Sequence, residues 1–164
     1  EGRVRVEAMK DFDQASHNAR NIPIYLFRES WRWTKGERKL IEKELIPPTL
    51  HIPNGSSRDG ELCIDIGEPA DIKADMNLIP LRARSFNTIL SDPPWINPRK
   101  WDTRWLKEFA RIARKKIILR SGQWFYTIPK PWVLTHTWFV LRIHNAMINH
   151  WHVWELLDGD LNLS

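Results

Sequence analysis

Apolar residues along this chain gather into short runs separated by polar turn residues. Five of these runs predict strands, at residues 49–53, 61–66, 71–74, 85–90 and 116–120. Short runs bounded by Gly, Pro, Asn or Asp are typical of strands buried in a sheet. Two longer aromatic and β-branched runs, at residues 132–143 and 146–157, predict a closing antiparallel hairpin.

In two other segments the apolar residues recur every three or four positions, which predicts helices. A first helix is predicted to begin at the capping box formed by Thr34 and Glu37 and to end before Pro47. Its apolar stripe consists of Leu40, Ile41 and Leu45. A second helix is predicted after Pro98, with a stripe of Trp101, Trp105, Phe109 and Ile112. Its apolar side is expected to pack on the sheet.

The first 33 residues do not share these patterns. Residues 1–21 are polar and predict an extended arm or a short helix, and the aromatic, basic stretch 22–33 has no clear assignment. We therefore predict an N-terminal arm at residues 1–33 and a single domain at residues 34–164.

Carboxylates follow three successive predicted strands. Asp65, Asp75 and Asp92 each stand at or just after a strand end. Ligands of open α/β sheets bind at the edge formed by the carboxyl ends of the strands. Three acids at one such edge predict a shared site.

The last of these acids begins the motif Asp92-Pro93-Pro94-Trp95, preceded by Ser-Phe-Asn-Thr-Ile-Leu-Ser. This segment resembles motif IV of the S-adenosylmethionine-dependent amino-methyltransferases, (Asp/Asn/Ser)-Pro-Pro-(Tyr/Phe/Trp), which methylate exocyclic nitrogens, chiefly N6 of adenine. The resemblance implies catalytic roles for these four residues. It also implies a Rossmann-like α/β fold, with a mostly parallel sheet, the C-terminal hairpin and few helices, which we expect on one face.

Other segments resemble the cofactor half of the same family. Residues 49–57 resemble its first strand and glycine loop, so Pro53, Asn54 and Gly55 would contact S-adenosylmethionine. The resemblance implies that Asp65 holds the cofactor ribose. Residues 74–80, Ala-Asp-Met-Asn-Leu-Ile-Pro, resemble the next motif, whose Asp75 and Met76 would flank the cofactor adenine.

The glycine loop departs from the family pattern. A single glycine, Gly55, stands where Gly-x-Gly is usual, and the connection to the second strand is too short for a crossover helix. An alternative register takes residues 63–67 as the first strand and its loop. Either register keeps the three acids at one cleft.

Charge and composition favour an intracellular protein with a polyanionic partner. The net charge is +5 with a pI near 9.6, and residues 99–120 carry nine basic residues against two acids. A solvated helix face explains this run equally well. We expect no membrane span and no secretory signal, and the single Cys63 fits a reducing, cytoplasmic setting.

Several further residues are candidates for the site. Arg99, Lys100 and Arg104 would hold phosphates, and Trp95 would stack on the target base. Trp124 follows the fifth predicted strand and either lines the base pocket or packs in a plain loop. His136, His144, His150 and His152 are expected to be structural or surface residues, and no metal site is expected.

The resemblance thus implies N6-adenine methylation of nucleic acid, in DNA rather than RNA, with S-adenosylmethionine as cofactor. The alternative is a catalytically inactive relative that binds nucleic acid or a partner protein. A third possibility is methylation of a protein or small-molecule amine. The tryptophan-rich hairpin serves as core or as the surface of a homodimer.

Overall fold

The computed structural model describes residues 14–17, 22–25, 33, 35–55, 57–67, 69–93, 104–121, 127–142 and 147–156. The strands in these ranges are β1 (Gln14–His17), β2 (Ile22–Tyr25), β3 (Thr49–His51), β4 (Leu62–Asp65), β5 (Ile72–Lys73), β6 (Phe86–Ser91), β7 (Ala113–Ser121), β8 (Trp132–Arg142) and β9 (Met147–Leu156). The helices are α1 (Lys35–Glu44) and α2 (Arg104–Ile112).

The main sheet has seven strands in the order β5-β4-β3-β6-β7-β9-β8. Strands β3 to β7 are parallel, and β9 is antiparallel to both of its neighbours. The predicted fold, a mostly parallel sheet closed by an antiparallel hairpin, is confirmed. The chain runs outward from β3 to β5 and then returns to β6, so a topological switch point lies between β3 and β6.

The strand order also decides between the two registers of the cofactor half. β3 lies at the switch point, paired with β6 on one side and β4 on the other. Cys63 therefore belongs to the second strand of the parallel sheet. The alternative register, with residues 63–67 as the first strand, is wrong.

One helix packs on each face of the sheet. Trp105 and Phe109 of α2 pack with Ile89 and Ile117 on the first face. Ile41 of α1 packs on the opposite face, in a cluster that contains Leu90, Ile118, Trp151 and Val153. The expectation that the helices share one face is wrong, because β6 and β7 carry apolar residues on both sides and each side needs a cover.

A short loop replaces the crossover helix between β3 and β4. The described residues of the segment 52–61 contain no helix. The Asn54 amide Nδ2 donates to the carbonyls of Gly55, Ser57 and Pro69, at 2.8 to 3.2 Å. A Cβ at Gly60 would lie 2.9 Å from the Thr49 carbonyl oxygen. The loop is therefore held by side-chain hydrogen bonds and lies directly against β3.

The N-terminal region contains structure that the sequence pattern does not predict. β1 and β2 form an antiparallel pair, with Gln14 opposite Tyr25 and His17 opposite Ile22. Trp33, at the end of the predicted arm, is buried in the cluster beneath α1. Among the described residues, no helix is both long and apolar enough to cross a membrane.

Candidate active site at the carboxyl edge of the sheet

Asp92 directly follows β6 and is held by Arg120 of the adjacent strand β7. The register pairs Ser91 with Leu119, so the next residue of each strand lies side by side at the carboxyl edge. Arg120 Nη1 donates to Asp92 Oδ2 at 2.7 Å. The Arg120 side chain is 5% exposed, whereas the Asp92 side chain is 23% exposed. The carboxylate is thus partly exposed at the carboxyl edge, while its partner is buried.

A second carboxylate approaches the same guanidinium from α1. Glu37 Oε1 lies 3.5 Å from Arg120 Nη2, and its side chain is fully buried. Trp151 Nε1 donates to Glu37 Oε1 at 3.0 Å, and the Trp151 ring lies 5.6 Å from the Arg120 guanidinium carbon. Trp33 Nε1 donates to Asp92 Oδ2 at 3.5 Å. These contacts fix the orientation of Asp92, because buried charges are stable only when paired and hydrogen-bonded.

The sequence pattern does not indicate that Arg120, Glu37 or Trp33 belong to this network. One signal is present in the sequence: an arginine rarely lies next to a fully apolar run in a buried strand unless it has a partner. Parallel pairing of β6 and β7 then places Arg120 beside Asp92. The sequence pattern indicates only a capping role for Glu37, since its buried contact depends on tertiary packing.

Asp65, at the end of β4, holds the loop that follows β3. Its Oδ2 accepts a hydrogen bond from the Gly55 amide and its Oδ1 accepts one from the Gly67 amide, both at 3.0 Å. Gly55 has φ +51°, and a Cβ there would meet no atom within 4 Å. The loop therefore leaves open space above the carboxyl edge, which fits the close approach of a ligand to backbone. Pro53 and Asn54 directly precede Gly55 on the same loop.

Asp75 and Met76 follow β5 at the same edge. Asp75 is exposed, and its Oδ1 accepts from the Asn77 amide at 2.8 Å, which closes a local turn. Met76 is partly buried against the core. Asn77 Oδ1 accepts from the Trp105 amide at 3.0 Å, so the first turn of α2 is anchored at this edge. Strands β4, β5 and β6 thus bring Asp65, Asp75 and Asp92 to the carboxyl edge of the sheet.

Ile66 is a residue of this edge that the sequence analysis does not single out. It directly follows Asp65 and is 74% exposed. An exposed isoleucine beside a carboxylate provides an apolar surface on which a flat ring can rest. The sequence carries no signal for this exposure, because an isoleucine at a strand end is ordinarily buried.

The remaining predicted site residues are only partly described. Pro93 is buried directly after Asp92, and Arg104 is exposed as the first residue of α2. Five predicted site residues, Pro94, Trp95, Arg99, Lys100 and Trp124, lie outside the described residues.

Two histidines of the sheet are buried. Burial lowers the pKa of His51 to about 4, although Asp59, Asp92 and Asp65 oppose the shift. His152 shares hydrogen bonds with the Ser121 and Thr137 hydroxyls, at 2.9 and 3.2 Å. Burial, together with the neighbouring His150, lowers the pKa of His152 to about 4. Both are therefore neutral, structural side chains near pH 7.

His136 lies apart from these residues. Its ring nitrogen and carboxylate oxygens of Glu44 and Glu155 fall within 4.8 Å of one another. Lys116 Nζ lies 2.6 Å from Glu44 and 3.0 Å from Glu155, so one ammonium already forms ion pairs with both carboxylates. Burial would lower the pKa of Lys116, but hydrogen bonds to the two carboxylates outweigh it and raise this pKa. We interpret the cluster as a structural ion-pair network.

The chain was compared with known protein families, curated proteins and solved structures. No family model matches it, and no curated protein matches it. Among solved structures it is similar to a protein of Escherichia coli titled "Putative methyltransferase yhhF", with a TM-score of 0.53 and 15% sequence identity. The similarity covers 83% of this chain and 92% of the other. At this identity the similarity establishes the architecture alone, and the chain has a methyltransferase-like α/β fold.

Proposed function

We propose that this protein transfers a methyl group from S-adenosylmethionine to the exocyclic N6 of adenine in nucleic acid, in DNA rather than RNA. The observation that carries the proposal is the position of Asp92-Pro93. This dipeptide stands at the carboxyl end of β6, next to the switch point, with Asp92 fixed by Arg120. Ligands of α/β folds bind at such points.

Two hydrogen-bond acceptors at this position would make the adenine amine a better nucleophile. The exocyclic nitrogen of adenine is a poor nucleophile, because its lone pair is delocalised into the ring. Two acceptors, the Asp92 carboxylate and the Pro93 carbonyl, would each receive one N–H of the amine and favour a pyramidal nitrogen. Such binding accelerates the reaction because it favours the transition state over the planar ground state. Proline restricts the backbone and keeps the second acceptor in place.

The residues at the edge of β3, β4 and β5 fit the cofactor. The open space above Gly55 would admit the methionine part, and Asp65 would accept hydrogen bonds from ribose hydroxyls. Each carboxylate oxygen can accept more than one hydrogen bond, so the two amide bonds of Asp65 are compatible with this role. Ile66, Asp75 and Met76 would border the adenine. Bound S-adenosylmethionine supplies an electrophilic methyl group.

A base within a duplex must leave the stack to reach this edge. Flipping costs a few kcal/mol and is offset by stacking on aromatic side chains, worth about 1 to 3 kcal/mol per base. Trp95 and Trp124 are the proposed stacking residues. Arg99, Lys100 and Arg104 are the proposed phosphate contacts.

The test is transfer of a labelled methyl group to adenine-containing DNA and RNA by wild type and Asp92→Ala. We expect transfer by wild type and a loss of at least about a hundredfold in the variant, the scale of one lost transition-state contact. The fold of the variant is protected, because Arg120 still faces Glu37. Glu42→Ala, which removes an exposed carboxylate of α1, is the matched control.

Three outcomes contradict the proposal in different ways. Equal transfer by Asp92→Ala removes the catalytic assignment. Absence of cofactor binding by calorimetry identifies the inactive, binding relative instead. Transfer that needs no nucleic acid identifies a protein or small-molecule amine as the substrate.

A further inference from the structure

The solvent side of α2 carries a row of basic residues. Arg104, Lys107 and Arg111 are spaced three and four residues apart, so they lie along one side of the helix. Arg104 and Lys107 are exposed. The opposite side buries Trp105, Leu106, Phe109 and Ile112 in the core. The amphipathic pattern therefore leaves a positively charged ridge facing water.

The loop before β6 adds two more arginines to the end of this ridge. The Arg84 amide donates to the Arg111 carbonyl at 2.8 Å, and Arg111 Nη1 donates to the Leu81 carbonyl at 2.7 Å. Arg114 Nε donates to the Arg84 carbonyl. These bonds hold the loop against the last turn of α2, and the exposed side chains of Arg82 and Arg84 extend the ridge.

Four cations of the ridge and of the adjoining start of β7 lack a carboxylate partner within the described part of the chain. They are Arg82, Arg84, Lys107 and Arg114. Glu108, the acid of this helix, pairs with Arg111 at 2.6 Å. By contrast, Arg38, Arg58 and Lys116 each pair with carboxylates. Like charges gathered without counter-charges repel one another, and an anionic ligand relieves that repulsion.

We propose that this basic track, made of Arg82, Arg84, Arg104, Lys107 and Arg114, binds the phosphodiester backbone of the nucleic-acid strand beside the target base. The inference rests on the proposed nucleic-acid substrate and identifies where the strand lies.

The track begins at the carboxyl edge of the sheet, where the Trp105 amide bonds Asn77 beyond the end of β5. It ends at the opposite edge, where α2 leads into β7.

The dimensions of α2 suit a short length of backbone. Its nine residues span about 13 Å at 1.5 Å per residue. One strand of B-form DNA places a phosphate about every 3.4 Å along the axis, so about four phosphates match this length. Basic residues near the carboxyl end of a helix also stabilise it by interacting with the helix dipole. That effect does not explain Lys107 in the middle of α2, nor Arg82 and Arg84 from another segment.

The test compares the salt dependence of nucleic-acid binding. Fluorescence anisotropy measures the affinity of wild type and of the triple variant Arg82→Gln, Arg84→Gln, Lys107→Gln for 20-nucleotide DNA and RNA, single-stranded and duplex, in a KCl series. Losing three phosphate contacts lowers the slope of log affinity against log salt by about 2 for single strands and about 3 for duplex. These side chains are exposed, so the fold is expected to persist.

The matched control changes the same charge elsewhere. Lys39→Gln, Lys43→Gln, Lys130→Gln also removes three exposed positive charges, two of them on α1 at the other face of the sheet. The proposal requires that this control keep the wild-type slope. Equal slopes for the two triple variants, no nucleic-acid binding by wild type, or a track-dependent affinity for phosphatidylserine vesicles alone would overturn it.

The binding test and the methyl-transfer test can give opposite results, so the two proposals can fail independently. A track-dependent slope without any methyl transfer supports the track and removes the proposed catalytic function. Methyl transfer with identical slopes in both triple variants supports the catalytic function and removes the track. The comparison of DNA with RNA, and of single strands with duplex, identifies the form of nucleic acid that the track prefers.

Discussion

Arg120 binds Asp92 across two adjacent parallel strands, with 2.7 Å between Nη1 and Oδ2. The same guanidinium faces Glu37 of α1 on the other side, at 3.5 Å. One buried cation therefore connects the partly exposed carboxylate of the proposed active site to the helix that packs on the same face of the sheet. The orientation of Asp92 depends on the packing of α1 as well as on the loop that carries it.

Arg120→Gln is expected to lower the free energy of unfolding by about 3 to 5 kcal/mol, because it leaves Glu37 buried without its cation. Urea denaturation measures this loss. Adding Glu37→Gln to Arg120→Gln removes the stranded charge and is expected to recover part of the stability. Strictly additive losses from the two substitutions would contradict a direct interaction between the two side chains.

Stability is expected to fall as the pH drops from about 6.5 toward 4. The pKa of His51 and that of His152 are each lowered from 6.5 to about 4 in the folded protein, chiefly by burial. The unfolded chain therefore binds more protons in this window, so the folded state loses stability as the pH falls. Each histidine lowers the free energy of unfolding by about 3 kcal/mol once the pH is below its pKa in both the folded and the unfolded state.

Chemical denaturation at a series of pH values measures this effect. The variant His51→Gln removes one of the titrations of the histidines whose pKa is lowered, so the decline between pH 6.5 and 4 is expected to be smaller than in wild type. A decline that keeps its full size in His51→Gln would show that other groups cause it.

Asp65→Ala is expected to affect both stability and cofactor binding. It removes two hydrogen bonds that a carboxylate accepts from backbone amides, at Gly55 and Gly67, worth about 1.5 to 3 kcal/mol each. Cofactor affinity, measured by calorimetry, is expected to fall at least about tenfold, which corresponds to about 1.4 kcal/mol or more.

Asp71→Ala is the control for this substitution. Asp71 Oδ2 also accepts from a backbone amide, that of Cys63, at 2.8 Å, but it stands before β5 and away from the carboxyl edge. We expect lower stability and unchanged cofactor affinity. Equal losses of affinity in the two variants would place the effect of Asp65 in the general stability of β4.

Melting temperatures measured with and without Zn²⁺ test whether Glu44, His136 and Glu155 form a metal site or only an ion-pair cluster. In wild type the Lys116 ammonium lies between the two carboxylates, so Zn²⁺ is expected to leave the melting temperature unchanged. Lys116→Ala removes that cation and is expected to melt at a lower temperature, with partial recovery in Zn²⁺ because the three donor atoms fall within 4.8 Å of one another. Equal stabilisation of both proteins by Zn²⁺ would contradict this interpretation.

Local patterns are sufficient to predict most of the sheet. The apolar run at residues 85–90 corresponds to β6, Phe86–Ser91, and the capping box with its stripe predicts α1 within a few residues. Such features depend on near neighbours in the chain, so a single sequence reveals them. The mostly parallel direction of the strands is implied by the family resemblance.

Features that depend on contacts distant in sequence are not predicted. Glu37 and Trp151 are 114 residues apart and meet only when α1 packs on the sheet. The β1–β2 pair has a polar strand and a proline-containing strand, so neither gives a clear alternating pattern. The placement of the two helices on opposite faces follows from the apolar residues on both sides of β6 and β7, but the pattern alone does not say which segment covers which side.

The short loop after β3 has a consequence for comparing this chain with others of its fold. Residue 60 must be glycine here, since any side chain would press into the Thr49 carbonyl and the His51 amide. A chain with a helix between these strands would carry its backbone away from the sheet and would be released from that restriction. A glycine two residues before the second strand is therefore expected in other chains of this architecture whose loop lies against the first strand in the same way.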